Sequence, residues 1–207
     1  GRYDRHVKQF EAARNVVKNI ETHLKHGQAL VYRDFVNSYD SAGGKIKNLV
    51  LVVIWRDKDK GHLRKFKFNN FCGDKTTSSA DAYYVADVYD FYFRPKEEDN
   101  VLRCSFFQEH DITMIYLSGD HGPHFSAAQT MLKESELYKK AGILIHCFFL
   151  CSYHAYNPCD AAGVEPKRLL ALSSAANKGY YSSRDFADGL NQSNYSNSIG
   201  YDFKRIN

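Results

Sequence analysis

The sequence predicts one α/β domain, a mixed β-sheet flanked by helices. Three strand-like runs come first, separated by turns of a few residues, and later strand-like runs alternate with helix-like ones. The run Leu49–Trp55, "LVLVVIW", is apolar throughout, as expected of a central strand covered on both faces.

Each element has its own signal. Residues 3–26 repeat Phe10, Ala13, Val16, Val17, Ile20 and Leu24 at helical spacing, and Gly27 falls at the C-cap. Strands are expected at Ala29–Phe35, Ile46–Asp57 and Leu63–Phe71, joined by turns at Asp40–Lys45 and Lys58–His62. The third alternates Lys and Phe, which suits an edge or half-exposed strand. Thr76–Phe93 repeats aromatics and Val at helical spacing, although that composition would also suit a strand. Arg94–Asn100 reads as a polar loop, followed by strands at Val101–Phe107 and Ile112–Leu117. A helix from Ser126 to Lys140 stops at Gly142, and Ile143–Tyr153 reads as a buried strand. Beyond Pro158 a helix runs through Lys167–Ala176. The Ser-, Asn-, Tyr- and Gly-rich tail from Asn177 is expected to be peripheral or partly irregular. The expected organisation is an N-terminal helix at 1–28, a core domain at 29–176 and a polar extension at 177–207.

Composition narrows the class. A net charge of +4 is compatible with a polyanionic partner without requiring one. Five cysteines, an odd number without regular spacing, argue against a secreted disulfide framework and for a nuclear or cytoplasmic setting. The longest apolar run is too short to span a bilayer, so no membrane partner is expected. The chain opens on Gly rather than Met, which reads as a processed product or a piece of a longer chain.

Carboxylates stand at the ends of strands or at the start of the last helix: Asp34, Asp120 in "SGDHGPHF", Asp160, and Glu165 five residues later. Any one alone suits a turn former or helix cap. Together they suggest acids gathered at one end of a sheet, tolerable when a divalent cation neutralises them. Mg²⁺ or Mn²⁺ matches such oxygen donors, and two such ions can clamp a phosphoryl transfer. Asp4, Asp57, Asp81, Asp87 and Asp90 lack that placement and are expected to be solvated.

Cys147, Cys151, His154 and Cys159 are soft donors within a short span, but only one pair has zinc-ligand spacing, which argues against zinc. His121 and His124 flank Asp120 and could meet a scissile phosphate or metal-bound water, or merely orient the carboxylate. Lys45, Lys47, Lys58, Lys60, Arg64, Lys65 and Lys67 could track a nucleic-acid backbone, with Phe66 and Phe68 as stacking partners. The competing reading is an edge strand guarded by lysines.

Three blocks, "ALVYRDFVNSY", "MIYLSGDHGPHF" and "FFLCSYHAYNPCDAAGVEPKR", resemble the RNase H-like DDE transposase superfamily, in particular eukaryotic transposon-derived proteins. The matching positions are Asp34-Phe35; Asp120, Gly122 and Phe125; and Phe149, His154, Asp160, Gly163 and Lys167. The resemblance covers roughly residues 5–176. It implies an RNase H-like fold and a two-metal site for DNA strand cleavage and joining, with Asp34, Asp120 and Asp160 as metal ligands. Glu165 is the alternative third acid, and His154 an active-site auxiliary. Asp160 is preferred, because Pro166 would disturb a helix running from Asp160 through Arg168. Lys65, Lys67, His121, His124, Lys167 and Arg168 are the expected DNA contacts. No separate DNA-binding module is visible, so an inactive transposon-derived module in a homo-oligomer or larger assembly is the competing expectation. A host RNase H-like nuclease is a third.

Overall fold

The computed structural model describes residues 2–39, 41, 43–73, 82–93, 106–120, 122–150, 158–174, 179–180, 182–192 and 198–201. It is an α/β structure with a mixed sheet flanked by helices. In chain order the elements are α1 (Arg2–His23), β1 (Gln28–Tyr39), β2 (Lys45–Arg56), β3 (Leu63–Gly73), α2 (Ala82–Phe93), α3 (Phe106–Glu109), β4 (Met114–Asp120), α4 (Pro123–Ser126), α5 (Ala128–Ala141), β5 (Leu144–Leu150), α6 (Pro158–Ser174), α7 (Ser183–Gln192) and β6 (Ser198–Tyr201). The strand order is β5-β4-β1-β2-β3-β6. The short connections between β1, β2 and β3 are those of antiparallel hairpins. Parallel pairing, which needs a crossover, joins β1 to β4, β4 to β5 and β3 to β6.

The chain forms two compact units, residues 1–32, 53–66 and 82–156 in the first, and 33–52, 67–81 and 157–207 in the second. In the first, α2 buries Ala82, Val85, Val88, Tyr89, Tyr92 and Phe93. That three- and four-residue repeat decides for a helix over the strand its Tyr and Val content would also allow. Around it, Trp55 and Phe66 pack on Phe106, and Phe93 packs edge-on to Phe107. Phe106 and Phe107 lie in α3 rather than in the expected strand, whose earlier residues are outside the described set. Asp90 is not solvated: Lys133 of α5 reaches it at 3.0 Å, with both side chains largely covered.

β5 corrects another expectation. It is a partly exposed edge strand, with His146 and Cys147 open to solvent, because among the described residues β4 alone pairs with it in the strand order. The expected helix at 126–140 is interrupted at Ala127, whose extended backbone separates α4 from α5, and α5 ends as expected at left-handed Gly142.

In the second unit the polar extension contributes ordered structure. The Ser182 side chain accepts a hydrogen bond from the Asp185 N–H at 3.1 Å and caps α7. Phe186, Ala187 and Leu190 then pack with Ile46 and Phe71. β6 pairs in parallel with Asn69–Cys72, so this half of β3 is interior rather than an edge. Asn48 accepts the Asn70 N–H at 2.9 Å and donates to the Asn69 side chain at 2.8 Å, satisfying polar groups buried between β2 and β3.

α6 is one helix from Pro158 onward, with Pro166 inside it. The expected break at Pro166 does not occur. Pro158 suits a first turn, and Pro166 removes only one backbone donor from a helix held by packing. Gly163 shows how tight that packing is: an added Cβ would lie 2.5 Å from Cγ2 and 2.8 Å from Cβ of Val36 on β1.

Two outcomes are expected. Gly163→Ala overpacks this contact and destabilises the protein by about 1–3 kcal/mol, less the roughly 0.5–1 kcal/mol that Ala gains in a helix. Thermal unfolding of Gly163→Ala, Val36→Ala and the double variant should show the pair relieving part of the strain; strict additivity would contradict the contact. The second concerns Asp57, which is not merely solvated but organises the β2–β3 turn. Its carboxyl is held below the ordinary value of 3.8, chiefly by the Lys60 backbone N–H and then by the Arg64 side chain. A lowered folded-state pKa stabilises above the unfolded value and is lost as pH falls through the folded one. The stability difference between wild type and Asp57→Asn should therefore be flat above about pH 5 and shrink below pH 3.8. Denaturant titrations across that range check it.

Candidate functional site

The two units each carry part of the predicted acid set. In the first, β1 and β4 run in parallel register from Gln28↔Met114 to Tyr32↔Ser118. The same β4 register continues against β5 to Asp120↔Leu150. Asp120 ends β4 and is half-buried. Its Oδ1 accepts the Gly122 N–H at 3.1 Å, an Asx-type turn that fixes the carboxylate's direction.

Gly122 explains itself by what it leaves open. A Cβ there would lie 2.9 Å from Asp120 Oδ1, 2.9 Å from His124 Nε2 and 2.7 Å from His124 Cε1. Any larger residue would push into the carboxylate, the imidazole or both. Measured through that point, Asp120 Oδ1 and His124 Nε2 are no more than about 6 Å apart. The His124 backbone is held in turn: its carbonyl accepts the Thr130 hydroxyl at 2.7 Å, and the neighbouring Phe125 is fully buried. The structure thus brings together two of the predicted residues, Asp120 and His124. His121 and His154 lie outside the described residues.

In the second unit Asp34 is half-buried on β1, with its Oδ1 accepting the Phe35 N–H at 2.7 Å. Strand alternation puts Asp34 and Val36 on the same face, and Val36 meets Gly163 of α6. α6 therefore covers the face of β1 that carries Asp34. Its first turn is pinned nearby, where the Cys159 thiol donates to the Val50 carbonyl at 3.5 Å. Asp160 is exposed in that first turn, where a negative charge suits the helix dipole. It stands three residues before Gly163, on the same side of the helix.

Glu165 is two residues past Gly163 and so faces elsewhere on α6. Lys67 of β3 meets its carboxylate at 2.5 Å, so two residues predicted for different tasks are ion-paired with each other. Lys65 and Arg168 are exposed, and Lys167 is half-buried. Lys58 and Arg64 are also engaged, with Asp111 at 3.3 Å and Asp57 at 3.2 Å. One charged residue went unremarked in the sequence: Arg33, beside Asp34, is fully buried. The visible signal was a cation inside an otherwise apolar strand segment.

No three His, Cys, Asp or Glu side chains among the described residues are grouped to hold a metal. Cys147 is exposed and Cys159 buried. No helix among the described residues is long and apolar enough to cross a membrane.

No family model and no curated protein matches the chain. Among solved structures it is similar to the catalytic domain of the Mos1 mariner transposase, at TM-score 0.43 and 12% identity, covering 89% of this chain and 80% of that one. It is also similar to a chain of the simian T-cell lymphotropic virus intasome in complex with PP2A regulatory subunit B56 gamma, at TM-score 0.37 and 12% identity. That match covers 83% of this chain, which spans half the length of the other.

The ion pair between Lys67 and Glu165 generates a prediction. Both groups are substantially solvated, so a double-mutant cycle with Lys67→Ala and Glu165→Ala should give a coupling of about 0.2–1 kcal/mol, shrinking with added salt. A coupling well above that range, insensitive to salt, would mean the pair is more deeply built into the unit than its exposure indicates.

Proposed function

We propose that the chain is a nuclease- or transposase-type domain acting on DNA phosphodiesters, with Asp34, Asp120 and Asp160 holding Mg²⁺ or Mn²⁺. The observation that carries this reading is the parallel register of β1 and β4 through Tyr32↔Ser118. Asp34 and Asp120 follow those residues by two positions on strands that are neighbours in the sheet order. Asp160 is favoured over Glu165 as the third acid. It lies on the side of α6 that Gly163 turns toward Val36, the face of β1 that carries Asp34.

Metal ions bound there would neutralise the carboxylates and polarise the phosphodiester in an in-line displacement. The chain's own residues have defined tasks in this reading. The Gly122 N–H holds one oxygen of Asp120 in place, α6 covers the Asp34 face of β1, and Lys167 and Arg168 offer positive charge to a phosphate backbone. DNA is the proposed partner, in a homo-oligomer or larger assembly. The surface ion pairs at Lys58, Arg64 and Lys67 favour structural tasks for those three residues over DNA contact.

The test is nicking or strand transfer on branched and transposon-end-like DNA with Mg²⁺ or Mn²⁺. Asp34→Ala and Asp120→Ala should each lower the rate by at least about a hundredfold. Glu165→Ala should leave it within a few-fold, and Asp160→Ala should not. Undiminished activity in both Asp34→Ala and Asp120→Ala would end the proposal.

A further inference from the structure

We infer that two copies of this chain pair edge to edge through β5, antiparallel about a two-fold axis at Cys147, so that one sheet runs through both. This gives the homo-oligomer of the proposed function a surface. It does not depend on the metal reading of the acids, so its failure would leave that reading untouched.

Its origin is an edge strand without the usual protection. Natural edges are blunted by lysines, prolines, bulges or a covering element, because open N–H and C=O groups template another strand. β5, "LIHCFFL", carries no Lys, Arg, Asp, Glu or Pro. Its register with β4 runs unbroken from Leu144 to Leu150, so no bulge twists it away. His146 and Cys147 are exposed, and the other residues of the strand are only partly covered.

The strand's own sequence selects a second copy as the occupant. Cys147 is the middle residue of the seven. An antiparallel pair about it sets Leu144 against Leu150, Ile145 against Phe149 and His146 against Phe148, apolar or aromatic at each step. Strand alternation puts Ile145, Cys147 and Phe149 on the face under α5, where the Cys147 thiol lies 3.9 Å from Glu134 Oε1. Met131 and Tyr138 stand three residues before and four after Glu134, so they share its side of the helix. Lys133 turns the other way, to Asp90 of α2. Met131 and Tyr138 therefore lie at the open margin of the sheet, 48% and 56% exposed. The same axis runs the two α5 helices antiparallel and brings Met131 of one copy toward Tyr138 of the other. A standard interface covers about 800 Å² per partner. A strand about 23 Å long supplies only part of that, and the helix pair widens it.

Sedimentation velocity of the full chain with its thiols reduced tests the pairing, together with cross-linking by a short bismaleimide. The wild type should dimerise in a concentration-dependent way, and mass spectrometry should find Cys147 linked to Cys147. Cys147→Lys, which sets like charges face to face at the axis, should raise the dissociation constant about tenfold or more with unchanged circular dichroism. Met131→Glu should weaken the dimer in the same direction. Should Cys147→Lys fail to fold, Met131→Glu and the wild-type cross-link still carry the test. A dimer that Cys147→Lys leaves intact, or one that yields no Cys147–Cys147 link, would overturn the inference. So would a wild type that stays monomeric at every concentration reached, which would leave the edge to a strand from a different protein.

Discussion

The parallel pairing of β1, β4 and β5 is the constraint on which the rest of the first unit depends. β1 and β4 meet through residues 86 apart in sequence, Gln28 with Met114 at one end and Tyr32 with Ser118 at the other. Because side chains alternate along a strand, a slip of one residue would turn Ile115 and Leu117 out of the core and reverse the direction in which Asp120 leaves the sheet. The buried side chains of β4 enforce the register, and the register aims the turn that follows. Asp120, Gly122 and His124 inherit their positions from packing several residues upstream of them.

Glycine recurs where neighbouring groups come close to the backbone. Gly122 and Gly163 both belong to the motif blocks of the transposase resemblance, and neither has the left-handed backbone that commonly explains a glycine. At Gly122 a Cβ would meet only the ends of the Asp120 and His124 side chains, whereas at Gly163 it would collide with the Val36 side chain down to that residue's own Cβ. The first lies against the ends of two polar side chains. The second lets α6 settle on β1, on the face that carries Asp34.

Charge is distributed with similar economy. The basic residues of the β2–β3 hairpin suggest a backbone-tracking surface when read as a string, yet Lys58, Arg64 and Lys67 each find a carboxylate. Asp57 accepts the N–H groups of Asp59 and Lys60 and the Arg64 guanidinium, so it shapes the turn from which those cations project. Exposed ion pairs of this kind are individually weak. Their effect is to hold these side chains against neighbouring carboxylates.

Local pattern was enough for most element types. The helical repeat in α2, the unbroken apolar run of β2, the turn signals around Gly43 and Gly61, and the stop at Gly142 all express short-range preferences that any chain with those residues would share. Asp34, Asp120 and Asp160 stand out in the sequence for the same reason, as carboxylates next to strong strand or helix signals. The capping Ser182 and the Phe186, Ala187, Leu190 repeat were legible too, but were masked by the polar composition of the tail around them. Edge position was not legible: β5 is as apolar as an interior strand, and β3 is as lysine-rich as an edge, yet pairing with β6 puts the second half of β3 inside. Nor was the fate of Glu165, which depends on Lys67 from 98 residues earlier, or the meaning of Gly122 and Gly163. Sequence by itself determined which segments become helix or strand, because that depends on neighbours within a turn or two. Tertiary structure decided which strands lie at the edge, which acid pairs with Lys67 and which glycine is packed too tightly for a side chain, because those follow from contacts between segments far apart in the chain.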